Sequence, residues 1–345
     1  MANTTEHQFP NRSINNLNKS VLVVGGAGYI GSHISKHLIR NGYTPVIVDR
    51  NIKNNPIAKQ FNDVYEMDLP KDIHLIDNLV KRYNVDSCIC TAAYTSVGES
   101  VKEPNKYYQN NVVMTLQLLN KLKDLDVKKF IFSSSAAVYG TPESGICYDD
   151  QIGLEPINPY GQTKLVVEKM LKEYNRAYGM KSISFRYFNA AGADPDGEIG
   201  ELHDPETHII PLIIRAGFQA TDFNMFGNDY DTPDGTCIRD YVHVTDIADA
   251  QIKALSLLDN NMCARLNLGS GNGFSNKEIM DEVTKHTGAI NVITASKREG
   301  DPAQLIADIS RTKDILNWKP MHSDIDNIVR TAVQWYKHCN KQEIN

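Results

Sequence analysis

The chain has no apolar run long enough to cross a bilayer, which excludes a membrane-spanning helix on length alone. It also lacks positive charge: 36 Lys and Arg stand against 42 Asp and Glu, a formal net charge of −6. That balance gives no general attraction for phosphate backbones or anionic lipid, so neither nucleic acid nor membrane is expected as a partner. An acidic ligand must instead be met by local donors. Cysteine is sparse. Cys88, Cys90, Cys147, Cys237, Cys263 and Cys339 include no CxxC pair and are too scattered for a disulfide framework, which fits a reducing, cytoplasmic setting. Cys88 and Cys90 lie two apart in a strand-like apolar run and therefore share one face, as small core residues. Internal repeats and low-complexity linkers are missing as well. The opening MANTTEHQFPNRSINNLNKS has no apolar core of the signal-peptide kind, and its Asn-rich polar texture reads residues 1–18 as a disordered extension.

What is present is an alternation. Val21–Val24 is a β-branched run bounded by glycines, and Ile30, Ile34, His37 and Leu38 then follow at helical spacing. Strands are expected at 46–48, 64–67, 87–91, 129–132 and 183–187, with helices over 73–83, 104–125 and 160–178 between them. Strand–helix alternation predicts a Rossmann-type, doubly wound α/β fold, because parallel neighbours need crossover connections. After Asn189 the texture turns to Gly, Pro and Asp with one helical candidate at 209–219, and residues 241–258 read as a return to the first unit. The expected division is a dinucleotide-binding domain over 19–189 plus 241–265. A smaller, interleaved substrate lobe takes 190–240 plus 266–345.

Gly25, Gly28 and Gly31 follow a strand and open a helix. The first supports a tight turn, the middle lets backbone approach a pyrophosphate, and the last allows close helix packing. The helix N-terminus offers unpaired N–H groups to the anion. The next strand ends in Asp49, which would accept hydrogen bonds from ribose hydroxyls and repel a 2′-phosphate, favouring NAD as cofactor over NADP. Arg50 beside it works against that preference. Asp68 ends the strand after, where a carboxylate either lies beside the adenine or simply caps the strand.

Ser133-Ser134-Ser135 ends the strand Phe130–Phe132, placing hydroxyls at the carboxyl edge of the sheet where open α/β folds bind ligands. Tyr160 and Lys164, four apart, stack on one helical face. Free tyrosine has a pKa near about 10 and is a poor base at neutral pH. An ammonium one turn away, with a positive nicotinamide nearby, favours the phenolate; a drop of roughly three units needs about 4 kcal/mol of differential stabilisation. So tuned, Tyr160 can take a proton from a substrate hydroxyl, with Ser135 on the same oxygen.

With these residues in view the chain resembles the extended short-chain dehydrogenase/reductase superfamily, and within it the UDP-glucose 4-epimerases. The likeness runs from about residue 20 to about 338, through GGAGYIGSH (25–33), VGESVKEP (97–104), SSSAAVYG (133–140), NPYGQTK (158–164), RYFNAAGA (186–193), FGNDYDTPDGTCIRDYVHV (226–244) and REGD (298–301). The resemblance implies that Tyr29 and Ile30 lie against the NAD pyrophosphate, Asp49 on the ribose, and Asp68 and Leu69 by the adenine. It implies that Ala92, Ala93, Asn110 and Phe188 line the cofactor, and that Thr95 stands where some members carry a lysine. For the substrate it implies Asn189 and the arginines Arg239 and Arg298 on the diphosphate, His208 and Ile209 flanking, Phe226 near uracil, and Asp301 on the uridine ribose. Ser135, Tyr160 and Lys164 would be the catalytic group. His203 and His208 raise the question of a metal; no third and fourth ligand stands at suitable spacing, and none is expected.

Sister dehydratases carry an Asp-Glu pair after the serine or threonine, and here those positions are Ala136 and Ala137, which cannot move protons. The resemblance therefore implies a UDP-glucose/UDP-galactose 4-epimerase: C4 oxidation, rotation of the 4-keto sugar, and re-reduction on the other face. Leu305 falls where bulk limits room for an N-acetyl group, so UDP-N-acetylhexosamines stay open, as do UDP-pentose and UDP-glucuronate. A non-catalytic NAD-binding protein is the alternative of another class. Helices 104–125 and 160–178 would pair across a two-fold axis in a homodimer.

Overall fold

A computed structural model describes residues 19–53, 55–260, 262–298 and 301–342. The extension expected over 1–18, and the Glu299–Gly300 part of the REGD segment, lie outside the described residues.

Seven strands form one all-parallel sheet: β1 (Ser20–Val24), β2 (Thr44–Asp49), β3 (Val64–Glu66), β4 (Val85–Cys90), β5 (Lys129–Ser135), β6 (Lys181–Tyr187) and β7 (Ala264–Leu268). Their spatial order is β7-β6-β5-β4-β1-β2-β3. The chain runs outward from β1 to β3, then returns to β4 on the other side, so the order reverses between β1 and β4. Loops leaving those two strands diverge there and open a crevice.

Alternation along the strands sorts the two faces. Val21, Val23, Ile47, Ile89, Ile131, Ile183 and Phe185 pack with Ile34 and Leu38 of helix Tyr29–Arg40 and with Ile247, Ala254 and Leu258 of helix Val244–Asp259. Leu22, Val24, Val46, Val48, Cys88, Cys90, Phe130 and Phe132 pack on the other face with Leu79, Leu118, Leu122, Val167 and Leu171. Burial on both sides is why these strands read as near-continuous apolar runs. Cys88 and Cys90 share a face in the core, as expected.

The helix expected over 104–125 is a composite: Pro104–Tyr107, a π-helical stretch over Tyr108–Val113, and Met114–Asp124. The wider turn matters because Asn110 and Asn111 sit in it. β7 crosses the boundary expected at residue 265 and belongs to the large sheet throughout; its Leu266 and Leu268 pair with Phe185 and Tyr187 of β6. Its apolar residues fill the core beside β6, so the strand cannot be divided between lobes.

Beyond the sheet, Ile238–His243 pairs with Gly273–Ser275, Gln304–Ala307 and Asn189–Ala191, and Phe223–Phe226 pairs with Val292–Ala295. A separate core of Ile210, Ile213, Ile214, Tyr241, Ile279, Val283, Ile328 and Val329 holds this part together.

Candidate active site

One cleft of about 1830 Å³ runs from the β1/β4 reversal to the small lobe. Of the site residues read from the sequence, all line it except Lys164, which lies behind Tyr160 at 3% exposure.

Gly25 adopts φ +81°, and an added Cβ would lie 2.6 Å from the Ala92 nitrogen. The glycine turn is thus clamped against the segment leaving β4. At Gly31 a Cβ would stand 2.1 Å from the Gly25 carbonyl oxygen, which fixes the helix at van der Waals contact with its own loop. Gly28 precedes the helix with no side chain capping the first N–H groups, and these face the cleft. Asp49 accepts from Ala27 N at 3.1 Å and Asn51 N at 3.2 Å, bringing its carboxylate to the end of β2. An adenine dinucleotide fits this arrangement: uncapped donors for the pyrophosphate, and an acidic acceptor for the ribose. Arg50 is held by Tyr94. Its guanidinium stacks 4.4 Å from the Tyr94 ring centroid and donates to the Tyr94 hydroxyl at 2.7 Å. Asp68 makes no capping bond and pairs with Lys71 at 2.7 Å. The Tyr29 phenol donates to Gly192 O at 2.5 Å, tying the start of the helix to the small lobe.

The catalytic group comes from two elements brought into contact. Asn158 caps helix Pro159–Tyr178 by accepting from Gly161 N at 2.9 Å. A Cβ on Gly161 would sit 2.4 Å from the Ala137 carbonyl oxygen, so this helix presses directly on the turn after Ser135. Ser135 Oγ accepts from Ala137 N at 3.2 Å, leaving its own proton to donate, and its hydroxyl draws the pKa of the Tyr160 phenol down.

With the protein's own groups alone, burial raises the Tyr160 phenol above its ordinary value and only the Ser135 hydrogen bond pulls the other way. Lys164 Nζ donates to the Ser133 carbonyl at 2.7 Å and lies 4.9 Å from the Phe132 ring centroid and 5.8 Å from that of Tyr160. Burial brings its own pKa down to about 8. Helical spacing put the pair on one face, but the ammonium is committed to backbone.

The sugar-nucleotide residues also converge. Arg239 pairs with Asp301 at 2.5 Å and stands opposite Leu305 in the strand register. Arg298 stacks 4.2 Å over Phe226. Phe188 is buried, and Asn189, next in the chain, stands opposite Tyr241 in the strand register. His208 caps helix Ile209–Gln219 as its preceding residue and contacts Glu201.

Three features escaped sequence reading. Asn111, buried in the π stretch, accepts from Tyr94 N at 2.9 Å and donates to Tyr94 O at 3.0 Å and Thr163 Oγ1 at 3.2 Å, coupling the segment after β4 to the Tyr160 helix. Glu168, buried one turn beyond Lys164, accepts from Arg186 Nε and Nη2 at 3.0 and 2.7 Å and from Ser134 Oγ at 2.6 Å, pinning the end of β5. Neither has a spacing signal. The third is a grouping: Glu201 and Glu206 fold back beside His203 and His208, a proximity that spacing along the chain does not measure.

A sheet edge built for a dinucleotide, facing a Ser–Tyr–Lys group and a second lobe with two arginines, defines a nucleotide-cofactor enzyme acting on a polar, anionic substrate. The chain belongs to the NAD dependent epimerase/dehydratase family, whose model matches residues 21–269. It is 42% identical over 325 residues to the UDP-glucose 4-epimerase of Lactobacillus helveticus, covering 92% of this chain and 97% of that one. The solved structure of UDP-glucose 4-epimerase from Brucella ovis in complex with NAD matches with TM-score 0.87 and 43% identity, over 91% of this chain and 97% of that one. The UDP-Glc/GlcNAc 4-epimerase from Campylobacter jejuni matches with TM-score 0.80 and 37% identity, over 93% and 100%.

Proposed function

We propose that the chain interconverts UDP-glucose and UDP-galactose with NAD as a resident cofactor. The observation that carries this reading is the meeting of Ser135 and Tyr160 on the wall of the cleft, with Lys164 behind them and two alanines, Ala136 and Ala137, where elimination would need proton carriers.

Gly25, Gly28, Tyr29, Ile30, Gly31, Asp49, Asp68, Leu69, Ala92, Ala93, Thr95, Asn110 and Phe188 would hold the dinucleotide, with Asp49 selecting an unphosphorylated ribose. NAD, when bound, supplies a reversible hydride acceptor for C4 and a positive ring charge. Tyr160 takes the C4 hydroxyl proton and later returns it. Ser135 donates to the same substrate oxygen. Lys164, fixed on the Ser133 carbonyl, orients the tyrosine and adds positive potential behind the phenol. Arg239, Arg298 and Asp301 anchor the nucleotide while the hexose turns; forked guanidinium donors suit a diphosphate. Asn189, His208, Ile209, Phe226 and Leu305 complete the substrate wall. Residues 19–189 with 241–268 form the dinucleotide lobe and the remainder the substrate lobe.

Tyr160→Phe should lower turnover of UDP-galactose to UDP-glucose by about 10² to 10⁴-fold while leaving the fold intact by circular dichroism. Retention of wild-type turnover would sink the assignment. The same assay on UDP-N-acetylgalactosamine decides whether Leu305 leaves room for an acetyl group. Two further parts belong to this reading. Exposed Tyr108, Leu116 and Tyr178 on helices 104–124 and 159–178 support a homodimer through those helices, and sedimentation at twice 38.6 kDa tests it. The scattered thiols Cys88, Cys90, Cys147, Cys237 and Cys263 support a cytoplasmic setting; a fluorescent fusion reports it.

A further inference from the structure

On the small-lobe wall of the cleft, Glu201, His203, Glu206 and His208 each bring one ligand-type atom into a group whose members all lie within 4.8 Å of one another. His203 Nδ1 is 2.8 Å from Glu201 Oε1, and His208 Nδ1 contacts the same oxygen. His208 Nδ1 is 3.6 Å from Glu206 Oε1. The two rings stand 5.3 Å apart at 58°. Both imidazoles therefore address a single carboxylate oxygen through the same ring nitrogen.

The backbone around the group is held both from outside it and by one of its own carboxylates. Trp335 Nε1 donates to Glu201 O at 2.9 Å, and Glu206 Oε1 accepts from Thr207 N at 2.6 Å and His208 N at 2.8 Å. The two carboxylate side chains are only 8% and 12% exposed, so they sit in a formed recess and not on a solvated surface. The other two clusters of this kind differ in what balances them. Asp194, Asp196 and Glu198 are gathered on Lys36, and Lys285 pairs with Glu282 of the Glu282–His286–Asp326 group. Histidines alone face Glu201 and Glu206 in their ion pairs among the described residues.

We propose that Glu201, His203, Glu206 and His208 form a four-coordinate site for Zn²⁺. A tetrahedral zinc with bonds of about 2.0–2.1 Å spaces its donors roughly 3.3 Å apart; His203–Glu201 at 2.8 Å and His208–Glu206 at 3.6 Å lie either side of this, and His208 would draw back from its direct contact with Glu201 to admit the ion. Two imidazoles and two carboxylates suit this ion, whereas Mg²⁺ and Ca²⁺ prefer oxygen-only shells. Four protein ligands leave no open position, so the site is structural. Its role is to lock the turn 201–208 onto the start of helix Ile209–Gln219 and so set the shape of the substrate wall. Zinc binds the deprotonated imidazoles, and any protons they carry leave as it enters.

The test uses untagged full-length protein stripped of metal by chelator and titrated with ZnCl₂ in a calorimeter. One equivalent should bind, with a heat that depends on buffer ionisation, and the melting temperature should rise. The His203 side chain is 40% exposed, so His203→Ala removes a ligand without touching the core. That variant and Glu201→Gln should each weaken binding on the order of 100-fold or more, while His286→Ala changes nothing. Cobalt(II) in place of zinc should give the intense visible bands of a tetrahedral centre, lost in His203→Ala. Absence of saturable one-equivalent binding, or binding unaltered by both ligand substitutions, would overturn the site and leave a histidine–carboxylate ion-pair cluster. A weak octahedral cobalt spectrum would overturn the four-ligand geometry.

Discussion

Lys164 carries a measurable cost. Its ammonium is buried, and burial draws its pKa from the ordinary 10.5 down to about 8. Below pH 8 the lysine is charged in both the folded and the unfolded chain, and the folded state bears the whole desolvation penalty. Between about 8 and 10.5 the folded state sheds the proton first, so the unfolded chain binds more protons and stability rises with pH. Lys164→Met should therefore stabilise the protein at pH 7 by up to ~3 kcal/mol, reduced by about 1 kcal/mol for the hydrogen bond lost at the Ser133 carbonyl. The advantage should fade by pH 10. Activity should fall in the same variant. Denaturant melts at pH 7 and pH 10 check the first claim, and epimerase assays the second. A lysine kept at such a cost is there for the reaction, and its distance from the phenol makes it a positioning group with a long-range charge.

At the scale of the element, the glycine turn separates two requirements that one motif compresses. A methyl at Gly31 would collide with the backbone of Gly25 at 2.1 Å and Gly26 at 2.8 Å, whereas at Gly28 it meets only the Gly25 carbonyl oxygen at 3.4 Å. Gly31→Ala should cost about 1–3 kcal/mol of stability and weaken NAD binding together. Gly28→Ala should leave the melting temperature nearly unchanged and weaken NAD alone, because its methyl would project where the pyrophosphate approaches. Equal losses of stability in the two variants would refute this division. The turn was legible in the sequence because its constraint is local. So were six strands of the large sheet and helix Ile209–Gln219, whose apolar period is set by burial on the element itself. Phe223–Phe226 and Gln304–Ala307 were not legible: these four-residue strands exist only through distant partners, Val292–Ala295 for the first and Ile238–Arg239 and Ile146–Cys147 for the second. The π stretch at Tyr108–Val113 left no trace either, since it adds one residue to a turn without breaking the apolar stripe. Tyr160 and Lys164 were found by spacing. The partner that Lys164 chooses was not, because it lies on another strand.

At the scale of the whole molecule, the two lobes meet across a cluster of histidines. His33 and His37 lie on the helix after the glycine turn, His243 ends the strand that links the lobes, and His322 leads into the final helix. His33 is fully enclosed with Nδ1 2.8 Å from the Tyr29 carbonyl, and His243 is bonded to Thr331 Oγ1 at 3.0 Å and to Thr245 N at 3.1 Å. Burial, reinforced by mutual repulsion and by Lys36 and Arg330, lowers His33 to about 4 and His243 to about 3. Both stay neutral in the fold at pH values where the unfolded chain is already protonated. Stability is therefore complete above about pH 6.5 and drains away as pH falls towards 4. Asp149 and Asp240 oppose this, since burial raises them to about 7 and about 6 and the fold then holds protons that the unfolded chain releases. The histidines should prevail because they are three against two, burial holding His37 of the same cluster down to about 4 as well, each worth on the order of 3 kcal/mol by pH 4, and because like charges would then face one another between the lobes. Melting temperature should fall steeply from pH 6.5 to 4. His243→Asn keeps an acceptor for Thr245 N and removes one titrating ring, so it should flatten that slope while costing stability at pH 7. An unchanged slope in this variant would place the acid sensitivity elsewhere than at the junction of the two lobes.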